Sequence, residues 1–360
     1  MGLVVQKFGG TSVATPERIR EVAAHIVATR RAGNDVVVVV SAMGATTNDL
    51  EKLAFDVVAN PSAREMDMLL TAGERISMAL LCMAIIDQGE EAVSFTGSQA
   101  GILTDTDHMR ARILEVRANR IREALEDGVI AVVAGFQGVS TNSDITTLGR
   151  GGSDTTAVAL AAALKAEFCE IYTDVDGVFT ADPRLVVNAR RLDRLSYEEM
   201  LDLSATGGRV LALRSVEFAR NYAVPVHVRS SFTWKPGTWI REEGMSMEQA
   251  IISGVTHDDS EAKVTVVGVP DRPGIAATVF RALADAQVNV DMIVQNVSTQ
   301  GHTDISFTVP SDNLANARSV IERLVKDVEA AGFSSDENVG RVSLVGAGMK
   351  TNPGVAATMF

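Results

Sequence analysis

The chain has 360 residues, of which 46% are hydrophobic and 22% are charged. This balance is typical of a globular protein and not of a disordered or fibrous one, and the length predicts two or three domains. The 33 basic and 46 acidic residues give a net charge of −13, which argues against bulk binding to nucleic acid or to an anionic membrane. Any anionic ligand must therefore be bound by a few specifically positioned Lys or Arg side chains and by backbone amides.

The sequence offers no signal for a membrane span, for secretion or for a metal cage. The longest uncharged apolar stretch, Met78–Ile86, is too short to cross a bilayer. The N-terminus leads straight into a strand-like segment, Leu3–Phe8, with no basic segment followed by an apolar core. Cys82 and Cys169 lie in apolar surroundings and predict buried thiols in a reducing cytosol. The five histidines are scattered, and neither cysteine has a neighbour at ligand spacing.

Up to about residue 230, short β-branched runs alternate with longer Ala- and Leu-rich stretches. This alternation predicts a three-layer αβα domain with a mostly parallel sheet, whose central strands are apolar on both faces. Two helix starts are readable: Thr15 precedes a proline at the first helical position, and Ser196 with Glu199 forms a capping box. The predicted strands are Leu3–Lys7, Asp35–Ser41, Ala92–Thr96, Val129–Ala134, Glu170–Thr173 and Val224–Val228.

Beyond an acidic, methionine-rich connector the sequence repeats itself. The segment Lys263–Phe280 recurs as Arg341–Phe360, and each copy opens with a strand, a Pro-Gly loop and a helix. The first copy continues through the strands Val288–Val297 and Thr303–Val309 to a helix over Asn313–Ala331. This order predicts a ferredoxin-like βαββαβ module. The second copy stops just as its helix begins, so the second module is incomplete in this sequence.

The first candidate site is Lys7-Phe8-Gly9-Gly10-Thr11-Ser12, directly after the opening strand. The two glycines let the backbone approach a ligand closely, and successive amides there can surround phosphate oxygens. A lysine at the strand end supplies a point charge for the β- and γ-phosphates. The segment is not a Walker A loop, because the lysine precedes the glycines. On this motif alone, an ordinary tight turn is the better interpretation.

The second candidate site is the glycine-rich turn Gly149–Thr156, which leads into an apolar helix over Ala157–Ala166. Hydroxyl donors in such a turn at a helix N-terminus form an anion site. Arg150 adds a planar fork that suits a carboxylate or a phosphate. The alternative is an ordinary N-cap made by Ser153 or Asp154, but a cap leaves Arg150 and the three glycines around it unexplained.

The third candidate site, Tyr172–Arg184, follows a buried strand and is dense in turn-forming and polar residues. Its aspartates alternate with a glycine, as in a calcium loop. Such a loop needs a bidentate glutamate about six residues after the glycine. Because Arg184 and Leu185, and no glutamate, occupy that neighbourhood, we reject calcium binding.

The fourth candidate site combines Ser41 and Thr47, in a loop after the second strand, with the segment Leu70–Arg75, predicted to open another helix. Thr71 and Glu74 have capping-box spacing, so a structural role for Glu74 is one interpretation. A ligand role is the other, because the helix that follows is otherwise apolar and isolates this carboxylate at one end.

Found together at these spacings, KFGGTS, SAMGATTN, LTAGER, GRGGSDTT and YTDVDGVFTADPR closely resemble the aspartate kinases of the amino-acid-kinase superfamily, over essentially the whole chain. The repeated C-terminal modules resemble the paired ACT domains of that family, which bind amino-acid end products. The resemblance implies ATP-dependent phosphorylation of the L-aspartate side chain to 4-phospho-L-aspartate, the first step toward lysine, threonine and methionine. A β-carboxylate with a pKa of ~3.9 is already ionised at neutral pH, so this nucleophile needs no general base. Phosphoryl transfer then requires mainly positioning and charge stabilisation.

The resemblance also implies domain boundaries. We expect a catalytic domain over residues 1–245, and then a linker over 246–262 with a strand shared with the second ACT module. A first ACT domain is expected over 263–338, and the start of a second, truncated one over 339–360.

The resemblance assigns roles to residues of the catalytic domain. Lys7 would contact the transferring phosphoryl oxygens, and Asp154 would orient Lys7 and the acceptor. Arg150 would bind the α-carboxylate of aspartate, Glu74 its α-ammonium, and Thr47, Gly151, Gly152 and Ser153 would complete this site. ATP would be held by Lys7, Phe8, Gly9, Gly10, Ser41, Tyr172, Thr173, Asp174, Phe179, Thr180, Asp182, Pro183, Arg184 and Arg209, with Mg²⁺ held chiefly by the triphosphate. Arg209 stands where the family usually has a lysine after the glycines of Thr206–Gly208, and the His-Pro pair that usually follows is replaced by Ala212 and Leu213.

In the regulatory part, the expected effector site is formed by a loop with free amides at a helix start and by an acid that binds the ammonium of an amino acid, Asp291. A solvated strand residue is the alternative interpretation of Asp291. We expect lysine and threonine as effectors, dimerisation through ACT domains, a separate regulatory subunit as a further partner, and a cytoplasmic location. The expected effector residues are Asp271, Gly274, Ile275, Ala276, Asp291, Gln295 and Asn296.

Two alternative functions remain at this point. One is a related kinase that acts on glutamate or acetylglutamate, against which the tandem ACT modules and the LTAGER and GRGGSDTT motifs weigh. The other is a catalytically silent amino-acid sensor, against which the intact Lys7, Arg150 and Asp154 weigh.

Overall fold

The computed structural model describes residues 2–242, 252–296 and 301–346, together with Ala357. The chain divides into two compact units, Met1–Val255 with Leu344–Phe360, and Thr256–Ser343. Parts of the expected linker (246–251) and of the expected second ACT module (347–360, except Ala357) lie outside the described residues. The domain boundaries expected from the sequence therefore stay predictions.

The first unit alternates strands and helices. Its strands are β1 (Leu3–Phe8), β2 (Asp35–Val40), β3 (Ala92–Phe95), β4 (Ile102–Thr104), β5 (Ile113–Val116), β6 (Ile130–Ala134), β7 (Gln137–Ser140), β8 (Ile145–Thr147), β9 (Phe168–Thr173), β10 (Arg194–Leu195), β11 (Val226–Ser230) and β12 (Thr238–Ile240). Its helices are α1 (Pro16–Arg31), α2 (Thr46–Val57), α3 (Ala63–Asp87), α4 (Asn119–Glu126), α5 (Gly152–Leu164), α6 (Tyr197–Ala205) and α7 (Leu213–Asn221). All six strands predicted from the sequence are present, each within two residues of its predicted bounds.

Eight strands form the main sheet, in the order β10-β12-β11-β9-β1-β2-β6-β3. All neighbours from β11 to β3 pair in parallel, and β12 runs antiparallel to β11. Buried side chains of α1 and α3 pack on one face, and those of α4, α5, α6 and α7 on the other. The predicted three-layer αβα architecture is confirmed. It places the carboxyl end of β1 between those of β2 and β9, the edge at which open parallel sheets bind ligands.

Both predicted helix caps are confirmed. The Thr15 hydroxyl accepts a hydrogen bond from the Arg18 amide at 3.3 Å, and Pro16 is the first residue of α1. Ser196 and Glu199 form the reciprocal capping box of α6.

The structural interpretation of Glu74 as a capping residue is wrong. Helix α3 begins at Ala63, with Ser62 in the capping position, so Thr71 and Glu74 lie in its interior. The helix starts earlier because the residues before Leu70 continue its helical pattern, with buried Met66 and Asp67 one turn before it. Thr47, expected in a loop, lies in the first turn of α2.

Helix α3 is long and apolar enough, by length and composition alone, to cross a membrane, although its longest uncharged apolar stretch, Met78–Ile86, is too short to do so. Half of its most apolar 18-residue window is buried inside the protein, as in the core helix of a globular domain.

The expectation that the central strands are apolar on both faces is wrong for three of them. Gln6, Glu170 and His227 are buried and lie side by side on β1, β9 and β11. The Glu170 carboxylate accepts hydrogen bonds from Gln6 Nε2 at 2.8 Å and from the Tyr172 hydroxyl at 2.9 Å. Burial by itself would raise the pKa of Glu170, but four neighbours that donate hydrogen bonds or carry positive charge lower it to about 2: His227, Gln6, Tyr172 and Arg229. The carboxylate is tolerated in the core because its partners lie on adjacent strands.

The second unit contains β14 (Glu261–Pro270), α8 (Ile275–Asp285), β15 (Ile293–Gln295), β16 (His302–Pro310), α9 (Leu314–Leu324) and β17 (Gly332–Asp336). Its sheet has the order β15-β16-β14-β17 with antiparallel pairing throughout, which confirms the ferredoxin-like module. Two further strands, β13 (Gly254–Asp258) and β18 (Arg341–Val345), form a separate two-stranded sheet.

Two predicted elements of this module are shorter than expected. The helix predicted over Asn313–Ala331 ends at Leu324. The chain after it turns at Glu329, which has a left-handed φ of 52°, and the Ala331 amide donates to the Val267 carbonyl of β14. The strand predicted over Val288–Val297 is limited to Ile293–Gln295 in the described part of the chain.

Candidate active site

Lys7 lies at the carboxyl end of β1, and its side chain is nearly buried. Its Nζ is 2.6 Å from Oδ1 of Asp154, in the first turn of α5. Because α5 packs against β1, β2 and β9, the ion pair joins the helix start to the centre of the sheet. The pairing holds the ammonium at the edge where the strands end.

The turn Gly9–Gly10 is packed tightly between the ends of β2 and β9. A Cβ on Gly10 would lie 2.9 Å from the Ala42 carbonyl oxygen, so no side chain fits there. The Gly10 carbonyl accepts a hydrogen bond from the Gly44 amide at 3.0 Å, and the Gly9 amide donates to the Tyr172 carbonyl at 3.2 Å. The Gly9 amide is thus already engaged. A Cβ on Gly9 would lie 3.5 Å from Lys7 Nζ, so the glycine places no side chain beside the ammonium.

Glu74 projects from the interior of α3 toward the end of β2. Its side chain is 3% exposed, and Oε1 accepts a hydrogen bond from the Ala42 amide at 3.2 Å. Oε2 is buried and has no hydrogen-bond partner among the described residues. Burial raises the pKa of Glu74 to about 7, and backbone hydrogen bonds, including that from Ala42, offset only part of this effect. A buried carboxylate oxygen without a partner suits a cationic ligand group.

The α5 start is shaped by glycines. Gly151 has a φ of 73° and leaves no room for a side chain, because its Cβ would lie 2.2 Å from that of Ala212. Ser153 is nearly buried beneath Gly135, where a Cβ would lie 2.7 Å from the serine Oγ. Arg150 precedes this turn and is exposed. The sequence analysis did not single out Gly135, which makes room for Ser153. Its one sequence signal is its position directly after the buried parallel strand β6.

Two residues expected to bind ATP are core residues. Phe8 and Tyr172 are both 0% exposed, and their rings stack with centroids 4.7 Å apart. The Tyr172 hydroxyl is engaged by Glu170 and by Nε2 of His25, at 2.6 Å. Only the main chain of these two residues is therefore available to a nucleotide, because their side chains fill the space between the sheet and α1.

The other predicted nucleotide residues lie in the segment after β9. Thr173 donates to Asp174 Oδ1 at 3.0 Å, and Arg184, 84% exposed at its side chain, pairs with Asp182 at 2.7 Å. Thr180 accepts a hydrogen bond from the Arg190 amide at 3.0 Å. The remaining members are placed as follows: Phe179 is half-buried beside Arg191, Pro183 is exposed, Ser41 directly follows β2, and Arg209 is exposed between α6 and α7.

The described residues contain no group of three or more His, Cys, Asp or Glu side chains that could hold a metal ion. Cys82 and Cys169 are buried thiols, and burial raises the pKa of Cys82 to about 11.

In the second unit, a cavity of about 280 Å³ opens at the start of α8. Five of the predicted effector residues line it, together with Thr303 and Ile305: Asp271, Gly274, Ile275, Ala276 and Gln295. Asp291 and Asn296 are not among its lining residues. Asp291 instead forms an ion pair with Arg341, and the Asn296 carbonyl accepts a hydrogen bond from Thr303.

Comparisons with known proteins match both units. The amino acid kinase family model matches residues 2–230, and an ACT domain model matches residues 264–324. The aspartokinase of Mycolicibacterium smegmatis is 60% identical over an alignment of 363 positions, which covers 99% of this chain and 86% of that protein.

Two solved structures are similar along the whole chain. Aspartate kinase from Synechocystis is 44% identical with a TM-score of 0.61, over 99% of this chain and 62% of that one. E. coli aspartokinase III in complex with aspartate and ADP is 25% identical with a TM-score of 0.85, over 99% of this chain and 90% of that one. The chain therefore belongs to the aspartokinases of the amino acid kinase family.

Proposed function

We propose that the protein transfers the γ-phosphoryl group of ATP to the side-chain carboxylate of L-aspartate and releases 4-phospho-L-aspartate. The observation that carries this proposal is the Lys7–Asp154 ion pair at the carboxyl end of β1, which fixes a single ammonium at the ligand-binding edge of the sheet. Lys7 would stabilise the charge on the transferring phosphoryl oxygens. Asp154 would hold Lys7 in place, since a carboxylate acceptor needs no proton removed.

The substrate would be recognised through its two α-groups. Glu74 would pair with the α-ammonium, because its buried Oε2 lacks a partner in the described structure. Arg150, exposed beside the α5 start, would bind the α-carboxylate with its planar fork. Thr47, Gly151, Gly152 and Ser153 would line the same site. Glutamate would place its reacting carboxylate one methylene too far from Lys7.

The nucleotide would lie over the ends of β1 and β9. The Lys7 ammonium, beside which Gly9 places no side chain, would contact the phosphate chain. Tyr172 and Phe8 would contribute main-chain contacts only, and the segment from Thr173 to Arg184, with Ser41 and Arg209, would surround the rest. Mg²⁺ would be held chiefly by the phosphates and would neutralise part of their charge.

Turnover in the presence of hydroxylamine tests this function. With MgATP and L-aspartate we expect the acyl-hydroxamate of aspartate, and we expect none with L-glutamate or N-acetylglutamate. Product with glutamate or acetylglutamate instead would favour the related kinases. No product with any of these acids, in protein that still binds amino acids, would favour a silent sensor.

We further propose that the cavity of the second unit binds an end-product amino acid, with lysine and threonine as the candidates. The loop at the α8 start would bind the carboxylate with its amides. Asp271 is the acidic residue on the cavity wall and would bind the ammonium, whereas Asp291 is already paired with Arg341. Pairing of ACT modules between chains, or with a separate regulatory subunit, would complete the site, in a cytoplasmic enzyme.

Asp271→Asn should abolish most of the stabilisation by the effector. At a concentration of about 100 Kd a ligand adds about 2.7 kcal/mol to the free energy of unfolding, so lysine or threonine should raise the Tm of the full chain by several degrees. Thermal unfolding with each amino acid, and with both, measures this shift. Asp312→Asn is the matched control, because Asp312 is an exposed acid of the same unit outside the cavity. An equal Tm shift in the Asp271 variant and the control would contradict the assignment.

A further inference from the structure

Asp67 is a buried carboxylate of α3 that has no place in the reaction described so far. Its side chain is 0% exposed. Oδ2 lies 2.6 Å from His108 Nδ1, and Oδ1 accepts hydrogen bonds from the Met109 amide at 3.0 Å and from the Thr147 hydroxyl at 2.5 Å. One carboxylate thus joins α3 to the segment between β4 and β5 and to the last residue of β8.

Two of these partners, Met109 and Thr147, are close to the loop that carries Arg150. Thr147 ends β8, three residues before Arg150. Gly149 turns with a φ of 77°, and a Cβ there would lie 3.0 Å from the Met109 carbonyl oxygen. The position of Met109, which Asp67 sets, therefore limits the position of the Gly149 turn and of the arginine that follows it.

A second set of contacts braces the same loop. Arg214, on α7, donates to the Leu148 carbonyl at 3.1 Å and to the Ala111 carbonyl at 2.9 Å. The Ala111 amide in turn donates to the Thr147 carbonyl at 2.9 Å. The loop before Arg150 is therefore held by residues of two helices, Asp67 on α3 and Arg214 on α7. The hydrogen bonds to Asp67 have a charged acceptor, and such bonds are stronger than those between neutral groups.

The same helix carries Glu74, seven residues after Asp67. Residues seven apart lie two turns apart on one face of a helix. Asp67 therefore connects the arginine loop to the rigid element that presents the proposed ammonium ligand. The separation of Arg150 and Glu74 determines whether both α-groups of one amino acid can be bound at once.

We propose that Asp67 is a positioning residue for the amino-acid substrate. Through His108, Met109 and Thr147 it holds the Arg150 loop at a fixed place relative to Glu74 on α3. This inference rests on the proposed function, in which Arg150 and Glu74 bind the two α-groups. It assigns Asp67 an effect on the KM for aspartate and none on nucleotide binding.

Asp67→Asn tests the proposal, because the amide keeps the size of the side chain but loses the charge and one acceptor. We expect the KM for aspartate to rise about tenfold, as for the loss of one hydrogen bond to a charged group, and the KM for ATP to stay within about twofold. Glu170→Gln is the matched control, since Glu170 is also a buried, hydrogen-bonded carboxylate, but on β9. It should lower the Tm without changing the KM for aspartate.

The pair Thr147→Val and Thr147→Ser serves if Asp67→Asn fails to fold. Thr147→Val removes the hydroxyl donor and should raise the KM for aspartate. Thr147→Ser retains the hydroxyl and should keep this KM at the wild-type value. Combining Thr147→Val with Arg150→Ala should add nothing to the effect of Arg150→Ala alone, since both changes act through the same contact.

The outcomes separate this inference from the function on which it rests. If Arg150→Ala raises the KM for aspartate while the Asp67 and Thr147 variants leave it unchanged, Asp67 is only a structural residue and the inference fails. If Arg150→Ala itself leaves this KM unchanged, the proposed carboxylate site is wrong and the inference falls with it. A rise in the KM for both ATP and aspartate would also overturn it, because positioning of Arg150 affects only the amino acid.

Discussion

Lys7→Ala should lower kcat by about a thousandfold or more, the largest loss expected of any substitution in this protein. The Lys7 ammonium is the cation that Asp154 holds at the end of β1, and its loss would leave the charge on the transferring phosphoryl oxygens uncompensated. The Asp154 carboxylate would then lie unpaired beside the triphosphate and repel it. Hydroxamate formation with saturating aspartate and MgATP measures the loss.

The controls distinguish charge from folding. Lys52→Ala removes an exposed lysine of α2 and should leave kcat unchanged. Lys7→Arg keeps the charge but not the compact ammonium, so we expect partial activity at best. Stabilisation of the second unit by lysine or threonine should persist in Lys7→Ala. Wild-type turnover in this variant would show that the phosphate cation has been misassigned.

Glu74→Gln should raise the KM for aspartate about a hundredfold while making the free protein more stable at pH 8. The amide cannot neutralise the α-ammonium, and loss of a buried charge-assisted contact costs about 2–3 kcal/mol of binding. In the free protein, burial raises the pKa of Glu74 from 4.5 to about 7. Folding therefore favours the protonated form, and stability falls as the pH rises from about 4.5 through 7, by about 3 kcal/mol in all. Glu74→Gln removes this loss.

The pH dependence of substrate binding should follow the same group. In the wild type the KM for aspartate should fall as the pH rises through about 7, because the ionised Glu74 is the form that binds the ammonium. In Glu74→Gln this KM should be high and flat between pH 6 and 8. Initial rates across this range measure both, together with urea unfolding of the free protein at each pH.

Glu170→Gln is the matched control for Glu74→Gln, because both are buried glutamates with opposite pKa shifts. The pKa of Glu170 is lowered to about 2, so its contribution to stability is present above pH 4.5 and lost as the pH falls toward 2. Glu170→Gln should therefore destabilise the protein at pH 8, whereas Glu74→Gln should stabilise it. Destabilisation by both substitutions would contradict a buried carboxylate with a raised pKa at position 74.

Local patterns of the chain were sufficient for its architecture. The strands follow from β-branched runs, the α1 and α6 starts from their capping residues, and the second unit from its internal repeat. Each of these features is a pattern within a short segment of the chain, so its prediction does not require contacts between distant residues. The motifs around Lys7, Glu74, Arg150 and Asp154 likewise mark chemistry-bearing segments in the sequence, whatever their arrangement in space.

The tertiary structure decided which of those side chains meet and which are buried. Phe8 and Tyr172 lie in motifs that suggest nucleotide contact, but their rings stack in the core, since adjacent parallel strands bring them face to face. Glu74 has the local spacing of a capping residue, and only the earlier start of α3 places it inside the helix with one oxygen unpaired. Gln6, Glu170 and His227, and likewise Asp67 and Thr147, are far apart in sequence, and their partnership exists only once the strands and helices that carry them have packed together.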